Sequence, residues 1–280
     1  MISGSVKGNV SNGSYFQTEP GVELYYEISG TGPPIIFVPG WTFSTECFKH
    51  QITHFSKTHC VVSFDPRSQG RSSLTPQGND YETQGADLCK LIDHLNLKEP
   101  VLVGWSAASL TLWSAVRHRG TAPFNGFVFI DMPPAPMTGK DDDWTEFSVE
   151  DASRFYQKLS TPEGHRETVT WYAKEIMMVR HPLPEELDWI VDQSTRSPPW
   201  VAQAYCAAAW FSNYLPEARQ VDRALPTLFV LAESSADTAK RYLKKYMPNA
   251  DHAVFGGHVM FWEHPEKFNT ALQDYLERLA

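Results

Sequence analysis

The sequence predicts an α/β chain: a doubly wound, mostly parallel sheet interrupted once by a helical insertion. Three observations predict it. Short continuous apolar runs recur at Ile35–Val38, Cys60–Phe64, Val101–Gly104, Phe127–Ile130 and Thr227–Ala232, the mark of strands buried on both faces. Between most of them lie stretches with helical spacing, and strand–helix alternation with short links gives a parallel sheet. The third observation is Gly104-Trp105-Ser106-Ala107-Ala108. There an apolar run stops at Gly, a Ser follows, small residues come next and a helical pattern begins. This reads as strand, sharp turn and helix with Ser at the apex, close to the nucleophile elbow G-x-S-x-G.

The elements follow in order. Residues 1–13, rich in Gly, Ser and Asn, read as a loose arm. Ser14–Thr18 and Leu24–Ile28 read as strands joined at Pro20-Gly21. The run Ile35–Val38 is broken by Pro39-Gly40-Trp41-Thr42, and a helix is expected over Glu46–Phe55. The strand Cys60–Phe64 ends in Asp65-Pro66-Arg67-Ser68-Gln69-Gly70-Arg71-Ser72. Leu88, Leu91, Ile92 and Leu95 fall at i, i+3, i+4 and i+7, so Thr83–Leu95 is an amphipathic helix. The elbow helix runs to about His118, and the strand Phe127–Ile130 ends at Asp131.

From Met132 to Arg223 no buried strand is expected. The segment opens on Pro133-Pro134-Ala135-Pro136 and the acidic run Asp141-Asp142-Asp143, and helical stretches follow near Val149–Leu159, Glu163–Val179, Pro184–Ser194 and Pro199–Asn213. It holds five of the nine tryptophans. The division is therefore residues 1–131 and 224–280 as one sheet domain, with 132–223 as an inserted helical cap. After Thr227–Ala232 come a helix over about Asp237–Tyr246, a strand at His252–Phe255, the loop Gly256-Gly257-His258 and a final helix from His264 to about Leu279.

Composition narrows the function classes. The chain has 280 residues, 42% apolar and 20% charged, an ordinary globular balance. A net charge of −9 and the lack of a Lys/Arg stripe argue against nucleic acid as partner. Cys47, Cys60, Cys89 and Cys206 form no CxxC or zinc spacing, which reads as reduced thiols with no metal. No apolar run approaches the roughly 20 residues that span a bilayer, and no secretion signal is visible. The expectation is a cytoplasmic protein acting on a small molecule without a cofactor, with a homo-oligomer left open. The sequons at Asn9 and Asn12 are then chance matches.

A Ser hydroxyl needs a base, and the base needs an orienting partner. His258 is the best placed of ten histidines, because it follows two glycines at the carboxyl end of the last strand. His264 reads as a helix cap, and His50, His54 and His59 as solvated residues on or beside a surface helix. In open parallel sheets ligands bind at the carboxyl ends of the strands, where all of these motifs fall.

On these motifs the chain resembles the α/β-hydrolase superfamily, over about residues 20–280. The matching pieces are Pro39-Gly40-Trp41 (where the family commonly has His-Gly), the Asp65–Ser72 motif, the elbow, and Gly257-His258 followed by Glu263 and Pro265. The resemblance implies Ser106 as nucleophile, His258 as base, and an oxyanion hole from the N–H groups of Trp41 and Ala107. The family's usual acid, after the Thr227–Ala232 strand, aligns with Ser235. Asp131, at the end of the preceding strand, is the better acid, a position some relatives use. Its alternative role is to cap the Pro-rich stretch that follows. Asp237, which looks like a helix N-cap, and Glu233 are the alternative acids. Trp105, Trp171, Trp210 and Met177 are candidates for the substrate-binding wall.

The expected function is a serine hydrolase (esterase or lactonase) for a modest, mainly apolar ester or lactone. A cofactor-free dioxygenase acting on a quinolone-like substrate is an alternative. Such enzymes tend to carry a His directly after the elbow Ser, whereas this chain has Ala107. A non-hydrolytic cyclase, lyase or binding protein is a third reading. A dehalogenase would need Asp where Ser106 stands.

Overall fold

The computed structural model describes residues 13–137, 144 and 148–279. The arm up to residue 12, the sequon residues Asn9 and Asn12, and Asp141–Asp143 lie outside the described residues. One eight-stranded sheet organises the chain, in the order β1-β2-β4-β3-β5-β6-β7-β8. Its strands are β1 (Ser14–Glu19), β2 (Val22–Ser29), β3 (Pro34–Val38), β4 (Cys60–Phe64), β5 (Val101–Trp105), β6 (Gly126–Ile130), β7 (Thr227–Leu231) and β8 (Asp251–Val254). The β1–β2 and β2–β4 pairs are antiparallel, and every pair from β4 to β8 is parallel. The apolar runs read as strands are all strands.

Helices cover both faces. They are α1 (Lys49–Phe55), α2 (Tyr81–His94), α3 (Ala108–Arg119), α4 (Val149–Lys158), α5 (Pro162–Tyr172), α6 (Pro184–Thr195), α7 (Pro199–Trp210), α8 (Leu215–Ala224), α9 (Ala236–Tyr246), α10 (Met260–Glu263) and α11 (Pro265–Glu277). Successive side chains of β3 point to opposite faces: Ile36 and Val38 join one core, Ile35 and Phe37 the other. The first core holds α2 and α3, with Trp113 stacked on Phe129 at 3.8 Å between ring centroids. The second holds Phe48, Phe55, Phe261 and Phe268, under α1 and α11. The start of α2 is fixed by Asp80, whose side chain accepts from the Thr83 N–H at 2.7 Å. A cap of this kind stabilises a helix by about 1 kcal/mol.

Helix ends differ from the sequence reading where local signals are weak. The stretch expected as one helix over 163–179 ends at Tyr172 and passes into a π-helical turn, Ala173–Met177. A 3-10 turn, Thr45–Phe48, precedes α1. Helix α8 lies outside the helices that the sequence predicts: Pro216 at its first turn resembles loop composition, yet Ala218 and Val221 are buried. His264 stands at the N-cap position of α11, but its side chain makes no capping bond. Asp237 is not an N-cap: Ser235 holds that position and Asp237 lies in the first turn of α9.

Helices α4–α7 lie over the carboxyl ends of the strands. Polar tethers join α6 and α7 to the sheet loops. Trp41 Nε1 donates to the Ala202 carbonyl at 3.0 Å, Ser44 Oγ to Gln193 Oε1 at 2.7 Å, and Tyr205 Oη to the Arg67 carbonyl at 2.9 Å. Thr42 and Ser194 hydroxyls are also bonded. Among the described residues no helix is long and apolar enough to cross a membrane.

Candidate active site

Ser106 sits immediately after β5 with φ +53, a left-handed backbone. That conformation is uncommon for a residue with a Cβ, and it persists only where surroundings over-determine it. Two bonds do so: the Ser106 N–H donates to the Ile130 carbonyl at 2.7 Å, and its carbonyl accepts from the Ser109 N–H at 2.8 Å. The small neighbours are required sterically. A Cβ on Gly104 would stand 3.1 Å from the Ala108 main chain. Ala108 replaces the usual second Gly and is the first residue of α3.

His258 reaches Ser106 from the loop after β8. Its Nε2 lies 2.8 Å from Ser106 Oγ, and its Nδ1 lies 2.7 Å from Asp131 Oδ2. The loop needs both of its glycines. Gly256 has φ +67, and a Cβ on Gly257 would stand 2.6 Å from the Met177 carbonyl oxygen. Glu263 closes the loop by accepting from the Gly257 N–H at 2.9 Å and from the Val179 N–H at 3.1 Å. Trp105 Nε1 donates to the His258 carbonyl at 2.8 Å.

Asp131 also has a left-handed backbone, φ +54. Its second oxygen, Oδ1, accepts from the Ala232 N–H at 3.1 Å and from Ser235 Oγ at 3.4 Å. Ser235, at the position of the family's usual acid, therefore bonds the carboxylate that stands one strand away. The alternative acids lie elsewhere. Glu233 accepts from the Gly256 N–H at 3.1 Å, and neither it nor Asp237 bonds His258.

Pro39–Thr42 follows β3 beside the elbow. Gly40 permits this approach, since a Cβ there would stand 3.0 Å from the Trp105 ring. Asp65 fastens the segment that follows, accepting from the Thr45 N–H at 2.7 Å and the Arg71 N–H at 2.8 Å. Burial pushes the Asp65 carboxyl up to about 6 against those bonds. Among the described residues neither the Trp41 nor the Ala107 amide has a main-chain acceptor. Orphan N–H groups of this kind, one of them at the start of a helix, suit an anionic oxygen.

These groups open into a cavity of about 730 Å³. Every sequence-nominated wall residue borders it: Trp105, Trp171, Trp210 and Met177. Their situations differ. Trp171 is 46% exposed at the mouth, whereas Trp105 is 2% exposed and serves mainly to hold the His258 loop. Sequence reasoning did not nominate Tyr172, Phe155, Trp144 or Ser235, which also border the cavity. Tyr172 meets the His258 ring edge-on at 5.8 Å, and burial raises its hydroxyl pKa. Its position directly after Trp171 at the end of α5 was the available signal. Ser235 had one too, in its alignment with the missing acid. Among the described residues no group of three His, Cys, Asp or Glu side chains is arranged to hold a metal ion.

The alpha/beta hydrolase family matches residues 35–271. A non-heme chloroperoxidase of Kitasatospora aureofaciens is 24% identical over 281 residues, covering 93% of this chain and 98% of that protein. Among solved structures, an esterase from Exiguobacterium antarcticum superposes with a TM-score of 0.86 at 18% identity, covering 95% of this chain and all of that one (100%). The enol-lactonase from Burkholderia xenovorans gives 0.79 at 19% identity, with 94% and 100% covered. The chain belongs to the alpha/beta hydrolase family and is an enzyme of that family. The two structural likenesses speak to the fold alone.

Proposed function

We propose that this enzyme is a serine hydrolase that cleaves carboxylic esters or lactones of modest, mainly apolar substrates through an acyl-enzyme. The observation that carries the reading is the row of hydrogen bonds from Ser106 Oγ through His258 to Asp131, 2.8 and 2.7 Å long. In the neutral imidazole the Nδ1–H donates a hydrogen bond to Asp131, which leaves Nε2 to accept from the Ser106 hydroxyl.

Ser106 Oγ attacks the substrate carbonyl as Nε2 takes its proton. The Asp131 carboxylate stabilises the imidazolium that forms. The carbonyl oxygen becomes an oxyanion facing the Trp41 and Ala107 N–H groups, and loss of one such donor typically costs about 3 kcal/mol in barrier. The tetrahedral species collapses, the C–O bond to the leaving group breaks, and Nε2 returns the proton to the departing alkoxide. Water, deprotonated by the same Nε2, then attacks the acyl-Ser106 ester; the acyl–Oγ bond breaks, Nε2 returns the proton to Ser106 Oγ, and the acid leaves. In a lactone the leaving alcohol stays tethered to the acyl chain.

In this reading helices α4–α7 act as a cap. Its aromatic rings exclude water and offer apolar area, and the few polar groups fix orientation. The experiment is labelling with a fluorophosphonate probe, followed by an ester and lactone panel with oxygen uptake monitored. The expected result is a label on Ser106 and hydrolysis without oxygen consumption. An unlabelled Ser106 with no hydrolysis overturns the reading. Oxygen uptake with a hydroxyquinolone replaces it with the dioxygenase.

A further inference from the structure

We propose that the cavity selects by charge: it admits neutral and cationic aromatic esters and lactones and discriminates against substrates that carry a carboxylate. The proposal rests on the hydrolase reading above and names the substrate class of that site. The observation is the make-up of the wall. Among the described residues that border the cavity there is no Lys and no Arg, while Asp131, Glu233 and Asp237 all border it. Of the other ionisable groups on the wall, His258 is bonded to Ser106 and Asp131. Burial keeps the Cys206 thiol neutral by pushing it up to about 12, and it raises Tyr172 in the same direction.

Two of the carboxylates lie outside the Ser106–His258–Asp131 row of bonds, although Glu233 gives one oxygen to the Gly256 N–H. Asp131 is engaged with His258, but Glu233 and Asp237 are exposed at the carboxyl end of β7. Neither forms an ion pair with a described residue. An entering carboxylate would leave water for a wall of indole and phenyl rings, with no cation to receive it and like charges nearby. An ammonium group meets the opposite situation. Trp144, Trp171 and Trp210 border the cavity and indole rings attract a cation, and the carboxylates on the β7 side add to that attraction. A neutral ring gains from the aromatic wall and is indifferent to the charge.

The test compares three para-nitrophenyl esters of matched acyl length: a neutral pentanoate, an anionic hemiglutarate and a cationic trimethylammonio-butyrate. A second set carries the charge on the leaving-group ring instead. Rates are normalised to hydroxide-catalysed hydrolysis of each ester. At low ionic strength the anion is expected to have a kcat/KM about tenfold or more below the neutral ester in at least one set, with the cation equal to or above it. Salt narrows the gap, because the interacting charges are partly exposed. Asp237→Lys raises the anion-to-neutral ratio and lowers the cation-to-neutral ratio. Should that variant not fold, the salt dependence of the wild-type ratio decides.

Equal normalised rates for anion and neutral ester in both sets overturn the proposal. So does an anion preference, or a discrimination that salt does not change. A failure to hydrolyse even the neutral ester is a different result, and it falls on the hydrolase reading itself.

Discussion

The floor and the roof of the cavity are built by opposite means. The floor consists of strand ends, and each reactive group on it is held by short hydrogen bonds to a neighbouring strand or loop. Ser106 and Asp131 both adopt left-handed backbones there, pinned to the Ile130 and Val230 carbonyls. The roof over the same space is held largely by rings. Phe155 and His165 pack on Trp41 at 5.8 and 5.9 Å, and Tyr172 packs on His258. Among the described residues, α6, α7 and Ser197 between them carry polar tethers to the sheet loops. Hydrogen bonds fix direction, and ring contacts tolerate sliding. The floor is therefore suited to chemistry, which fails on small displacements, and the roof to accommodating substrates.

The sharpest way to break this comparison is at the floor. Ser106→Ala and His258→Ala are each expected to lower kcat on the neutral ester by roughly 10⁴-fold or more, with folding retained, checked by steady-state kinetics and circular dichroism. Asp131→Asn comes next, with a loss on the order of 10²–10⁴-fold, because the amide can hold the wrong tautomer of His258. Asp237→Asn is expected to cost far less. If Asp237→Asn were the more damaging change, the acid would be misassigned and the bond from His258 Nδ1 would have no catalytic meaning.

The roof should answer differently. Trp210→Ala and Tyr172→Ala remove ring area from the wall and leave the Ser106–His258–Asp131 bonds in place. The expected outcome is a rise in KM on the order of 10-fold with a smaller change in kcat, the mark of lost uniform binding. Loss of kcat without a change in KM would show that the roof also positions the reacting atoms.

The same contrast governs what could be read from the sequence. Strand ends announce themselves: an apolar run stops, a Gly or a left-handed residue follows, and the parallel register brings the stops into line. The meeting of Ser106, Asp131 and His258 at one end of the sheet follows from that register, although they are far apart in the chain. The roof has no such register. Its helices fall roughly where the spacing predicts, but the spacing gives no sign of α8 and runs past the end of α5, because 163–179 has no strong stop. Which rings turn inward depends on crossing angles between helices, which helical periodicity does not carry. Trp105 shows the limit from the other side: a Trp in the elbow reads as pocket wall, yet its N–H is turned to the His258 carbonyl.

An effect on stability alone, with none expected on the chemistry, lies where roof meets floor, at His165. Its ring is 1% exposed beside Trp41, and its Nε2 has no hydrogen-bond partner. Burial and the neighbouring Arg166 lower its pKa from 6.5 to about 4. The folded state thus favours neutral His165, and the unfolded chain binds the proton first as pH falls. Its stabilisation is complete above about pH 6.5 and is lost as pH drops toward 4, at most about 3 kcal/mol. Asp65, raised to about 6, contributes the opposite slope over much of the same window. The difference between wild type and His165→Phe cancels that contribution. Thermal melts from pH 7 to 4.5 should therefore show Tm falling more steeply for wild type than for His165→Phe, by several degrees. Parallel curves would mean that the ring can reach water from its site, and that the roof opens at Trp41 more readily than its packing implies.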